Sequence, residues 1–532
     1  MLRRSALVAL LALAAGSAWA AAPDPYASAA EDQAAMTAGR LTSEQLIRAE
    51  LGRIAALDRR GPHLNSIIAL NPHAAADAAS LDGERRAGRF RGPLHGLPIL
   101  LKDNIDAGDF APTTAGSLAL KANLTAHLAP VARRLREAGA VILGKTNLSE
   151  WANFRSSHSI SGWSAVGGLT RNPYALDRSP LGSSAGSAVA VAAGLAAAAI
   201  GTETDGSIVS PAAANGVVGF KPTRGLVSRS LIVPISPEQD TPGPIARTVA
   251  DAAAVLTVIA GSDPSDPATT EADARKTDYV AALDPGALKG ARIGVLRGGA
   301  GPSPQTDAAF DQALAALRAQ GAVLVELQPL PKAQMEAISA AEGPALRAEF
   351  KAAVASYLAA SAPGVTARTL EALVAFDQTT PAETALFGQE NFETAAKSPP
   401  LTDPAYQAER ATARRLAGPE GLDWMMREAD VEVIVAETGG PPSVVDPVNG
   451  VRFLGSPSML PAVAGYPHLT VPMGQVDGLP VGLSIIGKAW SDARVLSLGY
   501  AFEQATHARR APTFAPSVNQ RPEIAGAFGW GP

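Results

Sequence analysis

Three stretches of the chain carry side chains suited to acyl chemistry. Lys102 closes the apolar run "GLPILL" and is followed by "DNI"; Ser183 and Ser184 lie in "SPLGSSAGS"; Ser207 lies in "GTETDGSIVSP", Gly201 to Pro211. A lysine that leaves a strand inside a domain loses hydration, which lowers its pKa and makes the neutral amine usable as a base. A serine within reach of such a base can act as a nucleophile. Each of these residues also has an ordinary use. A lysine after a strand commonly sits at the surface or in an ion pair, and serines commonly cap helices or close turns.

Other chemistries find less support in the residue spacing. The histidines, at 63, 73, 95, 127, 158, 468 and 507, are scattered, and no pair has the i, i+4 spacing of a helical zinc site. Gly182 to Gly186 matches G-x-S-x-G, which would make Ser184 the nucleophile of a Ser-His-Asp hydrolase, but that motif needs a strand immediately before it. What precedes is "RNPYALDRSPL", with two prolines and no apolar run. No G-x-x-x-x-G-K-[ST] surrounds these serines, and Asp205 would repel a phosphate. The absence of cysteine removes thiol catalysis, disulfides and thiolate metal sites together.

The elements that must position these residues follow an α/β pattern. With 532 residues the chain can bury a large core, and a net charge of -5 without a long basic run leaves no electrostatic footprint for nucleic acid or anionic membrane. Small molecules or peptides are the expected partners. Leu41, Leu46, Ile47, Leu51, Ile54 and Leu57 have helical spacing behind a capping Thr42 or Ser43. "LPILLK", and "VILGK" after the helical "VARRLREAGA", predict buried strands. Ser187 to Ala199 is Ala-rich and predicts a buried helix, with short strands and turns in "GVVGFKPTRGLVSR". Helical periodicity returns over 251–258 and 307–320 on either side of a strand at 291–296, and the region from about 331 to 427 is mostly helical, a cap or insertion interrupted by the loop "KSPPLTDP". "VEVIVA" predicts a further strand, and "HLTVPMG" and "LPVGLSIIG", separated by "QVDG", predict a hairpin. Strands at both ends argue for one sheet built from the whole length.

The first twenty residues stand apart. Arg3 and Arg4 precede ten apolar residues from Ala6 to Ala15 and the small-x-small site Ala18-Trp19-Ala20, the layout of a secretory signal peptide cleaved near Ala20. The apolar run falls short of the ~20 residues a membrane span needs. The expectation is an exported chain, periplasmic or secreted, with residues 21–532 forming one domain.

Taken together, "GLPILLKDNI", "SPLGSSAGSAVAVAAGLAAAAIGTETDGSIVSPAAANGVVGFKPTRG" and "DTPGPIARTVAD" resemble the amidase signature family, in order and at similar intervals. The resemblance continues through "AVAGYPHLTVPMG" and "GLPVGLSIIG" and so covers most of the mature chain. Within the family the stretch around Asp205, with "RRLAGPEG", is most similar to the bacterial peptide amidases. The resemblance implies a single α/β domain with a central mixed sheet flanked by helices, no cofactor, and a Ser-cisSer-Lys triad. Ser207 would be the nucleophile, Ser183 the bridging serine after a cis bond from Gly182, and Lys102 the base. The backbone N–H groups of Thr204, Asp205, Gly206 and Ser207 would form the oxyanion hole, and Ser184 would either support the relay or cap a helix.

The chain also departs from the family's usual text. Leu181-Gly182 stands where two glycines are common, Ala185-Gly186 replaces a second glycine pair, Val209 stands where many members have arginine, and Asp205 replaces a common glycine. None removes a triad atom. The implied activity is hydrolysis of a carboxamide, with peptide C-terminal amides the leading substrates and a broad aryl or aliphatic acylamidase the alternative. A glutaminase subunit serving tRNA is disfavoured by the export signal, and a silent binding protein of the same fold by the retention of Lys102, Ser183 and Ser207 together.

Overall fold

The short apolar runs flanking the candidate residues become the middle of one sheet. The computed structural model describes residues 23–527 except 451, 453 and 454, so the expected signal peptide lies outside the described residues. The strands are β1 (Ile67–Leu70), β2 (Pro98–Lys102), β3 (Val141–Thr146), β4 (Trp163–Ser164), β5 (Gly168–Leu169), β6 (Ala198–Glu203), β7 (Val218–Lys221), β8 (Thr241–Ala246), β9 (Arg292–Val295), β10 (Val323–Glu326), β11 (Val433–Glu437), β12 (His468–Val476) and β13 (Leu479–Ile486). Eleven of them form a mixed sheet in the order β1-β3-β2-β6-β8-β7-β12-β13-β11-β9-β10, while β4 and β5 pair separately. Strands from both ends of the chain thus meet in one sheet, and the hairpin β12–β13 turns at Asp477-Gly478.

Around the site the pairing is parallel: β2 lies between β3 and β6, with Leu101 opposite Lys145 on one side and Ile200 on the other. All residues of these three strands are buried, as expected of parallel strands covered on both faces. Ile99 and Leu101 point into the apolar layer that contains the helix Val249–Ile259, and Leu100 points into the opposite layer. That opposite layer contains helix α1 (Ala185–Ala192). Period-two alternation therefore sends Lys102 to the side where α1 packs.

The Ala-rich run differs from expectation. Instead of one helix over 187–199, α1 ends at Ala192 and the chain re-enters the sheet as β6 at Ala198. Gly194 adopts φ +66°, and its N–H and that of Leu195 return to Val191 and Ala190, the hydrogen-bonded stop of a helix C-terminus. Beyond it, pairing with β2 and β8 overrides the helix propensity of alanine. Of "GVVGFKPTRGLVSR" only β7 is a strand. The opening helix runs Ser43–Arg53 with Thr42 in a capping box with Gln45, and continues as a wider turn over Ile54–Asp58.

Downstream of Ser207, the short helix α2 (Val209–Ala214) follows directly. The segment after β10 is helical as its periodicity predicts, through α3 (Lys332–Ala359), α4 (Leu370–Thr379), α5 (Glu390–Ala396) and α6 (Pro404–Ala417). Phe350, Val354, Leu358, Leu373 and Phe392 from these helices bury against Trp151, Leu120, Val233 and Ile235 of the loops above the sheet. Trp151 meets Phe350 and Phe392 edge-on, at 6.4 and 5.5 Å between ring centres.

Candidate active site

Lys102 is the last residue of β2 and is fully buried. Its Nζ has three neighbours: Ser183 Oγ at 2.7 Å, Thr202 Oγ1 at 2.9 Å and Thr202 O at 3.2 Å. No carboxylate forms an ion pair with it among the described residues. Burial pulls the ammonium down to about 7, against the pull of Asp240 and Glu203 in the other direction. A neutral amine has two N–H donors and one lone pair. With the two donors spent on Thr202, the lone pair faces the Ser183 hydroxyl, which can then donate to Lys102.

Asp103 and Asn104, which could orient Lys102 or merely end its strand, divide these tasks. Asp103 turns to Lys145 on β3, 2.9 Å away, and its second oxygen accepts from Thr114. Asn104 donates to Thr202 Oγ1 at 3.0 Å and so braces the group that holds Lys102.

The two serine loops converge because α1 and β6 form a crossover that returns the chain to its starting end. Ser183 precedes α1 and Ser207 follows β6. The peptide bond Gly182-Ser183 is cis. Gly182 packs on Ser149, where a Cβ would collide with the Ser149 hydroxyl, and the Ser149 N–H donates to the Ser183 carbonyl at 3.0 Å. Ser184 N–H donates to the Ser207 carbonyl at 3.2 Å, tying the loops together. Among the described residues no hydrogen bond joins the Ser183 and Ser207 hydroxyls; the link to the Ser207 carbonyl is what bridges the two loops. Ser184 Oγ does not cap α1; it donates to Thr202 O at 3.1 Å and accepts from Thr202 N–H at 3.2 Å. That hydroxyl is fully buried, and the segment before it is not a strand, so the nucleophile-elbow reading of Ser184 fails on both counts.

Ser207 opens into a cleft of about 410 Å³, with Thr204, Asp205, Gly206 and Gly182 along the same wall. Gly206 takes φ +75°, and a Cβ there would press to 3.0 Å on Ser210 and Ser458. Among the described residues the N–H groups of Thr204, Asp205, Gly206 and Ser207 donate to no protein acceptor. The next two amides differ: Ile208 and Val209 both donate to Glu203 Oε2, at 2.7 and 3.0 Å. Glu203 thereby fixes where the run of open amides ends. Asp205 opens its side chain into the cleft, although the protein around the loop pushes its carboxyl up; the Ser458 hydroxyl acts against that rise.

Sequence reasoning did not single out Thr202, Glu203 or Ser149. The signal for the first two is their alternation at the end of β6, Thr202 turned to Lys102 and Glu203 to α2, within a strand otherwise made of alanine, isoleucine and glycine. Ser149 carries no such signal, since only the three-dimensional approach of Gly182 gives it a role. Among the described residues no group of three or more His, Asp or Glu side chains is placed to hold a metal ion.

Comparison with known proteins bears on the whole arrangement. The amidase family model matches residues 45–496. A probable amidase from Arabidopsis thaliana is 38% identical over 487 residues, covering 89% of each chain. The crystal structure of the peptide amidase from Stenotrophomonas maltophilia superposes with a TM-score of 0.87 at 53% identity, covering 92% of this chain and all of that one. A putative amidase from Schizosaccharomyces pombe is 34% identical over 513 residues, covering 90% of this chain and 85% of its own.

Proposed function

The chain belongs to the amidase signature family and is a hydrolase of amide C–N bonds; from that premise we propose that it is an exported serine amidase that releases ammonia from the C-terminal carboxamides of peptides. The observation that carries the mechanism is the 2.7 Å contact between a buried, carboxylate-free Lys102 and Ser183. Ser207 attacks the carbonyl carbon while its proton passes to Ser183, whose own proton passes to Lys102. The carbonyl oxygen takes negative charge facing the open amides of Thr204 to Ser207, where each donor can contribute ~3 kcal/mol. The C–N bond then breaks as Lys102 returns a proton through Ser183 to the nitrogen, which leaves as neutral ammonia. Water attacks the ester on Ser207, giving up its proton by the same route, and the acid departs.

The peptide assignment is supported by similarity to the Stenotrophomonas enzyme and by the cleft itself. Its wall carries Asn153, Ser156, Ser157, Ser159, Ser161 and Asn391, a polar lining suited to peptide backbone. Export rests on the first twenty residues of the sequence.

One observation favours the second reading, a broad aryl or aliphatic acylamidase. A largely apolar cavity of about 650 Å³, walled by Leu231, Ile232, Val233 and Pro242, shares Ala152, Thr204 and Ile235 with the cleft and would suit such acyl groups.

Ammonia release from amidated peptides, simple aryl amides and free glutamine separates the readings. Peptide amides are expected to react fastest; turnover of simple amides alone overturns the peptide assignment, and turnover of none overturns the enzyme.

A further inference from the structure

Hydrolysis of a carboxamide yields a carboxylate of nearly the same shape. Hydrogen bonds to a charged acceptor are the stronger ones, so a pocket built of N–H donors holds the product acid more tightly than the neutral substrate. Thr204, Asp205, Gly206 and Ser207 line the cleft, and their N–H groups donate to no protein acceptor among the described residues, so they are free to serve as such donors. An amidase with this wall needs a group that reverses the preference.

We infer that the Asp205 side chain is a specificity-determining group which, by its negative charge beside the open amides, admits neutral or cationic carboxamides and expels the carboxylate product. This rests on the amidase reading and adds a side-chain role to a residue otherwise used through its backbone. Asp205 lies two positions before Ser207, with its side chain exposed into the same cleft. Among the described residues no lysine or arginine forms an ion pair with it. Arg410 is taken by Glu349 at 3.1 Å and by Gln239 at 2.6 Å, and Arg229 by Asp266.

Two charged groups act on it without pairing: Lys221 attracts its carboxyl, and the Glu342 carboxyl repels it. Glu342 of α3, nearly buried, accepts from Gln239 at 2.8 Å, and its carboxyl is pushed up to about 8, first by burial and then by Asp205. Glu342 is buried whereas Asp205 is exposed into the cleft, so the carboxylate that the wall presents to a ligand is that of Asp205. Like charges within one partly dry cleft repel by enough to change affinity about tenfold.

The experiment compares affinity for an N-acylated amino acid with the KM of its amide in the natural chain, in Asp205→Asn and in Asp205→Glu. Direct titration of the acid into the same chains carrying Ser207→Ala gives product binding independent of turnover. Asp205→Asn is expected to tighten acid binding about tenfold relative to the amide, whereas Asp205→Glu stays within about twofold of the natural chain. Raised salt should tighten acid binding to the natural chain by screening the repulsion, and this arm decides alone if the variants do not fold. Unchanged acid binding in Asp205→Asn, or salt that only weakens acid binding to the natural chain, overturns the inference. Absence of turnover in the natural chain instead overturns the amidase reading.

Discussion

Two lysines, one the last residue of β2 and the other the last but one of the neighbouring parallel strand β3, are equally buried yet differ in their partners. Lys145 on β3 meets the Asp103 carboxylate at 2.9 Å and the Thr113 hydroxyl at 3.0 Å. Lys102 on β2 meets only hydroxyls and a carbonyl. A buried charge with a carboxylate partner is a structural ion pair; without one, the proton is held loosely and the amine becomes a base. Burial alone therefore does not make a catalytic lysine. The partner set distinguishes the lysine proposed as the base, and it is set by register: β2 opposes Lys102 to Thr146, the Lys102 amine reaches Thr202, and Asp103, one residue on, turns to Lys145.

Substitutions should pull the two lysines apart. The largest effect on activity belongs to the residue that Lys102 is proposed to serve: Ser207→Ala should reduce amide turnover on the order of 10⁴-fold or more with the melting temperature little changed, read by ammonia release and thermal unfolding. Lys102→Met should approach that loss while remaining folded. Lys145→Met should do the reverse, leaving Asp103 buried without its cation at a cost of about 3–5 kcal/mol in denaturant unfolding, and Lys145→Met with Asp103→Leu should recover much of it. Equal stability losses at the two lysines would erase the distinction.

Smaller effects sharpen it. Only neutral Lys102 accepts a proton, so kcat/KM should rise with pH through about 7 and level off above. Thr202→Val removes a hydroxyl that accepts from Lys102, which disfavours the ammonium further; the acid limb should move to lower pH by a fraction of a unit. Movement to higher pH would mean that Thr202 does not hold the charged form.

The lysine and the serines were legible in the sequence because their stretches are local and chemically unusual: a lysine closing an apolar run, and serines among glycines. The strands on either side of them, and the helical periodicity after β10, were legible for the same reason. What escaped was whatever depends on contacts distant in sequence. The Ala-rich run is helical in its first half only because Gly194 stops it and β2 and β8 claim the remainder. Whether Asp103 serves Lys102 or Lys145 is decided by a strand forty residues away, and Ser149 acquires a role only where Gly182 is packed against it. Thr202 and Glu203 act on opposite faces of β6, a division visible in the sequence only once that stretch is known to be a strand.

The central claim, that Ser207 is the nucleophile driven by a neutral Lys102 through Ser183, is tested most directly by one measurement: the site and pH dependence of covalent labelling by a fluorophosphonate, mapped by peptide mass spectrometry. The account predicts a single adduct on Ser207 whose rate of formation climbs as pH rises through about 7. An adduct on Ser184, or no adduct on a folded chain, would contradict it.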